Sequence, residues 1–220
     1  MRSLRFALVA ASLIASTAFA SPADPKAGLD YVNLATPQPV QATGKKVEVI
    51  EFFMYHCPHC NALEPMMEQW VKKQGDNIVF KRVHMPFTGA NDPETHLHLT
   101  LEAMGKAEEM QSKVFKAIHV DHVRMNSDAA VIDWATKNGL DRAKFLDAWN
   151  SFGVMTKLRR APQIINNYKV DSVPTIVIDG KYMTSPATVF NSVKATNEQQ
   201  LFQATFQVAD ALVAKAAKTK

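Results

Sequence analysis

The sequence predicts an α/β protein in which a β–α–β unit and a later β–β–α unit are separated by a wholly helical block. Three observations predict it. Val47–Phe53 is a β-branched and aromatic run, followed by a helix-forming segment and a second strand-like run at Ile78–His84. From Pro93 to Tyr168 the pattern is helical, without a convincing strand. Thr175–Ile178, an Asp179-Gly180 turn and Lys181–Met183 then read as a hairpin, and an amphipathic helix over Glu198–Ala214 closes the chain.

The first twenty residues stand apart from the fold. Arg2 and Arg5 form a basic start, Phe6–Ile14 an apolar core, and Ala18-Phe19-Ala20 the small-x-small pattern of a cleaved signal peptide. About 20 apolar residues are needed to span a bilayer, and this run is shorter. Cleavage is expected after Ala20, which leaves Ser21–Lys220 as an exported chain with no further transmembrane segment. The formal net charge is +4, and half of it comes from Arg2 and Arg5. So small an excess, without a basic run, gives no argument for nucleic acid, and no such partner is expected. No internal repeat or low-complexity stretch is visible.

Within the exported chain, Ser21–Gly28 reads as a loop, Tyr31–Leu34 as a short strand, and Pro37, Pro39 and Gly44 punctuate the connection to Val47. Val47–Phe53 is apolar on both faces except for its acids, as in a buried strand. Pro58–Gln74 is a helix stopped by Gly75, with Leu63, Met66, Met67 and Trp70 along one stripe and an expected kink at Pro65. The short return to Ile78 favours parallel, right-handed pairing of the two strands. Met85–Asn91 is a loop. In the helical block Ser127 caps Asp128–Asn138 ahead of Gly139, Asp141 caps Arg142–Phe152, and Pro162 is expected to break or bend the segment after Gly153. Trp70, Trp134 and Trp149 read as packing aromatics, and His84 as a structural histidine.

The two cysteines of the chain, Cys57 and Cys60, lie two residues apart at the junction of strand and helix. A disulfide between them closes too small a loop to be a useful staple, so the pair is there to react. A Cys-x-x-Cys alone fits zinc or redox chemistry. Zinc needs about two more ligands, and the candidates are His96/His98 and His119/His122, neither with a companion cysteine. The redox reading has a mechanism. Cys57 falls at the N-cap, Pro58 at the first helical position and Cys60 at the third, so unpaired N–H groups and the helix dipole face the Cys57 sulfur. His59 adds a donor or a positive charge in the same turn. A stabilised thiolate favours the reduced form and makes the disulfide an oxidant. Cys60, one turn inside, is the resolving thiol.

Glu51 interrupts the apolar strand, and a carboxylate is seldom buried without a reason. Lys81 and Arg82 on the next strand are its candidate partners.

With these residues in view, the chain resembles the DsbA family of periplasmic thiol:disulfide oxidoreductases. The resemblance rests on Glu51–Cys60 (EFFMYHCPHC), on Val173-Pro174 ahead of a strand, and on Ala148–Phe152 (AWNSF) in the helical block. It covers essentially all of the chain after the signal. It implies a thioredoxin fold in two parts, residues 21–90 and 169–220, around an inserted helical subdomain at 91–168. Cys57 would then be the nucleophile that forms mixed disulfides, and Cys60 would close the intramolecular disulfide. Pro174 would be a cis-proline facing the dithiol, with the Val173 backbone pairing to bound peptide. Glu51 would relay the proton of Cys60, with Arg82 favoured over Lys81 as its partner. An apolar groove beside the dithiol would take unfolded proteins and a DsbB-type membrane partner. It is expected at the Met85–Asn91 loop and around Val173, with Met66, Met67 and Met85 lining it or packing in the core.

The function expected is therefore that of a monomeric periplasmic dithiol oxidase acting on newly exported proteins. No cofactor beyond the Cys57–Cys60 disulfide and no metal are called for. The alternatives are a disulfide isomerase or reductase and a non-enzymatic metal- or peptide-binding module. The isomerases carry an N-terminal dimerisation domain, and too few residues precede Val47 to form one.

Overall fold

A computed structural model of the protein describes residues 24–220, so the expected signal peptide lies outside the described residues. The sheet consists of β1 (Val32–Asn33), β2 (Val47–Phe53), β3 (Ile78–His84), β4 (Thr175–Ile178) and β5 (Tyr182–Thr184). Its order is β1-β5-β4-β2-β3. β2 runs parallel to β3 and antiparallel to β4, so the strand that leads to Cys57 is central and fully buried. That position explains its composition, because a strand covered on both faces reads as a continuous apolar run.

Alternate residues of β2 serve two cores. Val47 and Val49 pack with Leu63, Met67 and Trp70 of α1 (Pro58–Gln74) and with the closing helix α8 (Glu198–Ala217). Ile50 and Phe52 pack on the other face against Ile165 and Tyr168 of α6 (Phe152–Tyr168). Each such buried side chain is worth about 1.5–3 kcal/mol relative to exposure. Phe53, at the end of the strand, leaves both and joins a third core inside the helical block.

That block comprises α2 (Pro93–Ala103), α3 (Ala107–His119), α4 (Asp128–Lys137), α5 (Arg142–Trp149) and α6, and α2 packs against the other four. Several boundaries differ from those predicted: β1 is Val32–Asn33 where Tyr31–Leu34 was expected, and α4 ends at Lys137 rather than Asn138. The helix capped by Asp141 stops at Trp149 because Ser151 caps α6, its side chain accepting from the Val154 N–H. Pro162 does not break α6, which runs unbroken through it. Its buried stripe of Val154, Leu158, Ala161, Ile165 and Tyr168 spans both sides of the proline, and that burial outweighs one missing backbone hydrogen bond. β5 starts at Tyr182 rather than Lys181 and runs on to Thr184, because Lys181 closes the turn, its N–H donating to the Ile178 carbonyl while Asp179 and Gly180 take positive φ. A Cβ at Gly180 would run into the Gln38 carbonyl.

Two elements at the closing end were not foreseen in full. A short helix, α7 (Pro186–Val189), follows β5, and α8 extends three residues past Ala214 to Ala217. Asn197 caps α8 through the Gln200 N–H. Trp70, Trp134 and Trp149 are buried as expected of packing residues, and Trp70 also donates to Asp210 on α8.

Candidate active site

The end of β2 and the start of α1 bring the dithiol to the rim of the sheet. Cys57 is the N-cap of α1 in extended conformation, and Pro58 occupies the first helical position. The Cys60 N–H donates to Cys57 Sγ at 3.4 Å, and the Cys57 thiol points to the Val173 carbonyl at 3.7 Å. The Val173–Pro174 peptide bond is cis. Cys57 is 8 % exposed and Cys60 fully buried, both as free thiols.

The two sulfurs are electrostatically unlike. Cys57 is pulled down to about 6 from an ordinary 9.0, chiefly by the Cys60 thiol hydrogen bond. Burial opposes this, while the backbone N–H groups of Cys60 and His59 and the His59 charge support it. Cys60 is pushed far up by its bond to Cys57, by burial and by the Cys57 charge. At neutral pH the outer sulfur is therefore a thiolate and the inner one a thiol.

His59 faces outward. Its Nδ1 lies 2.6 Å from Glu198 Oε1 at the start of α8. Sequence reading had no means of pairing these residues, which are 139 positions apart.

Beneath the dithiol, Glu51 is fully buried on the face of β2 that lies under α1. Its partner is Arg82, directly opposite on β3, with Nε 2.9 Å from Glu51 Oε2. Lys81 points to the other face and holds Glu48. Arg82 also donates to Glu64 of α1 at 2.8 Å and to both oxygens of Glu108 of α3 at 2.7 Å. Three carboxylates thus share one guanidinium. Burial raises the Glu51 carboxyl against the pull of Arg82, and burial followed by the Glu51 charge lifts Glu64 to about 8. Burial disfavours the charge on Arg82, but the three acids more than restore it. Among the described residues, Glu51 Oε1 has no hydrogen-bond partner. Glu64 escaped the sequence reading, though it lies four residues after Cys60 on the same helical face.

The apolar groove beside the dithiol lies around Val173, as expected, but not at the Met85–Asn91 loop. About 440 Å³ in volume, it runs from Val173 and Pro174 past α7 to the start of α8, with Phe190, Leu201 and Phe202 among its walls and His59 and Glu198 at its rim. Phe190 is 59 % exposed. The Met85–Asn91 loop does not line it, because that loop lies on the helical-block side, where Phe87 packs on His56. Met67 is in the core under α1 with Met66 packed against it, and Met85 packs against the core on the other face of the sheet, so none of the three lines the groove.

Of the four histidines considered for zinc, three are otherwise engaged and His122 is exposed at positive φ. His96 bonds the Trp149 carbonyl, His98 contacts Tyr55 and the Arg82 carbonyl, and His119 bonds the Tyr55 carbonyl. Among the described residues no group of three or more metal-ligating side chains comes together.

Comparison with known proteins agrees with this geometry. The model of the DSBA-like thioredoxin domain matches residues 48–201. The chain is 43 % identical over 189 residues to the thiol:disulfide interchange protein DsbA of Burkholderia cepacia, covering 86 % of this chain and 89 % of the relative. It is 38 % identical over 175 residues to DsbA of Pseudomonas aeruginosa, covering 80 % and 82 %. The crystal structure of Pseudomonas aeruginosa DsbA superposes with a TM-score of 0.76 at 34 % identity, over 90 % of this chain and 98 % of that one.

The chain belongs to the DsbA family. As a DsbA-family protein it has the thioredoxin-like fold with a helical insertion and is a thiol:disulfide oxidoreductase. Its dithiol is Cys57-Pro58-His59-Cys60. No helix among the described residues is long and apolar enough to cross a membrane.

Proposed function

We propose that this DsbA-family protein is a dithiol oxidase of the periplasm, exported by a signal peptide cleaved after Ala20 and acting as a monomer. The observation that carries the reading is the inequality of the two sulfurs, Cys57 pulled down to about 6 and Cys60 pushed far up. In the oxidised enzyme a substrate thiolate attacks Cys57 Sγ. The Cys57–Cys60 bond breaks, a substrate–Cys57 disulfide forms, and the Cys60 sulfur leaves with the electron pair and takes a proton. A second thiolate of the substrate then attacks the substrate sulfur of the mixed disulfide and expels Cys57. Cys57 is the better leaving group because its thiolate is stabilised. The substrate has lost two electrons and two protons, and the enzyme holds the two electrons as its dithiol.

Glu51 is the group that relays the Cys60 proton, since it is buried, held by Arg82 and has one oxygen unpaired. Val173 and Pro174 form the wall against which the substrate backbone lies beside Cys57. The disulfide is itself the oxidant, so no cofactor or metal is required. Its substrates are newly exported proteins with free thiols, and a DsbB-type membrane partner restores the disulfide.

The test is a redox titration of residues 21–220 in glutathione buffers, with alkylation and mass spectrometry reporting the fraction oxidised. A midpoint well above that of thioredoxin is expected. A midpoint at thioredoxin's value would replace the oxidase with a reductase.

A further inference from the structure

His56, the residue before Cys57, is used by nothing described so far. The loop that carries it is gripped by the neighbouring elements. The Tyr55 N–H donates to His84 Nε2 at 3.1 Å, and His119 of α3 bonds the Tyr55 carbonyl at 2.8 Å. The His56 ring itself is partly exposed, with its Nδ1 2.8 Å from Glu94 Oε2. Glu94 is nearly buried in the first turn of α2, where the helix dipole favours a carboxylate. Phe87 covers the ring at 4.9 Å between centroids, edge to face. His84 Nε2 lies 3.6 Å from the same Glu94 oxygen, but that nitrogen accepts from Tyr55 and Nδ1 meets Thr95 Oγ1. The shorter contact makes His56 the ring that pairs with Glu94.

We propose that His56, paired with Glu94 of the helical insertion, supplies a second positive charge beside the Cys57 thiolate, so that the insertion sets part of the oxidising power. The proposal rests on the dithiol-oxidase reading and names a positioning residue for that reaction. The hydrogen bond to Glu94 raises His56, burial opposes it, and the charges of Glu94, Asp92 and Cys57 add to the rise. The last influence is reciprocal. A thiolate that favours the imidazolium is favoured by it to the same extent. Of the other charged groups at the dithiol, His59 also supports the Cys57 thiolate, so His56 adds to it rather than replacing it. His59, on the outer side, has Glu198 against its Nδ1, and Glu51 below contributes negative charge toward Cys60. The arrangement also gives the helical block a chemical part in the site, since Glu94 belongs to its first helix.

The experiment measures the ionisation of Cys57 in the full chain, from thiolate absorbance against pH, in wild type, His56→Gln and His56→Arg. His56 adjoins Cys57 in the chain, and the charge of a neighbouring residue, reduced by partial exposure and by the Glu94 counter-charge, shifts an ionisation constant by about three- to tenfold. His56→Gln is expected to lower the ionisation constant of Cys57 by that factor. At pH 7 the equilibrium constant of the disulfide against glutathione falls about three- to fivefold, by the thiolate fraction lost. His56→Arg restores both, which repair of a merely structural defect by a larger side chain would not do. NMR titration of the His56 ring in Glu94→Gln is expected to show the imidazole losing its proton at lower pH than in wild type. An unchanged Cys57 ionisation in His56→Gln, or no recovery in His56→Arg, overturns the proposal, as does an unmoved His56 in Glu94→Gln. The wild-type midpoint alone judges the oxidase reading, so the two failures are distinct.

Discussion

The inequality of Cys57 and Cys60 predicts an unusual pH dependence of the redox potential. Reducing the disulfide takes two electrons, and below the Cys57 ionisation both sulfurs also take a proton. A tenfold change in equilibrium constant is about 30 mV for a two-electron couple, so two protons give a slope of about 59 mV per pH unit. Above about 6 the reduced enzyme holds Cys57 as thiolate, one proton drops out, and the slope halves to about 30 mV. Cys60 stays protonated far above the ordinary thiol range, so the slope does not flatten near pH 9 as it would for an unperturbed second thiol. At pH 7 ionisation of Cys57 favours the reduced form about tenfold, worth about 30 mV of oxidising strength over the same dithiol left protonated. The sign follows from linkage. Cys57 is depressed, so its contribution is present at high pH and lost as pH falls through about 6. The assay is equilibration with glutathione at half-unit steps from pH 4.5 to 9.5, each point quenched with acid before alkylation. A slope of about 59 mV continuing to pH 8 would refute the stabilised thiolate, and a flat region starting near pH 9 would refute the displacement of Cys60.

Two further outcomes follow from the buried ions and the groove. Replacing Arg82 by Met leaves Glu51 and Glu64 buried without their cation, and urea unfolding is expected to show a loss of about 3 kcal/mol or more. The loss should be larger at pH 8 than at pH 5, because protonation relieves the raised carboxyls; an equal loss at both would mean that the acids are neutral throughout. Phe190→Ala removes an exposed ring from the groove, and its burial by a substrate is worth about 1–2 kcal/mol, so KM for a dithiol peptide should rise roughly tenfold. The redox midpoint should not move with it, and a changed midpoint would show that the ring acts on the dithiol rather than on binding.

Much of the site was legible from local order. The N-cap position of Cys57, the proline at the first helical position and the inward place of Cys60 all follow from the strand-to-helix junction, which is a property of adjacent residues. Glu51 stood out because a carboxylate in an apolar strand demands a partner. The Asp179-Gly180 turn was legible for the same kind of reason, since type I′ geometry needs positive φ at both positions and few residue pairs accept it. Glu64 was within reach of the same reasoning, at helical spacing from Cys60 on the buried face of α1.

The sequence by itself therefore determined the class of fold, the dithiol and its chemistry, because strands, caps and turns depend on neighbours in the chain. Only the tertiary structure decided how distant side chains meet. The parallel register of β2 and β3 placed Arg82 rather than Lys81 opposite Glu51 on the covered face, a choice that a one-residue shift would have reversed. The packing of α8 against α1 brought Glu198 to His59, and the seating of α2 beside the active-site loop brought Glu94 to His56. The groove formed where α7 and α8 approach the Val173-Pro174 turn, not at the loop after β3. Such meetings are fixed by the shapes of whole elements packed to density, and no local pattern of residue types records them.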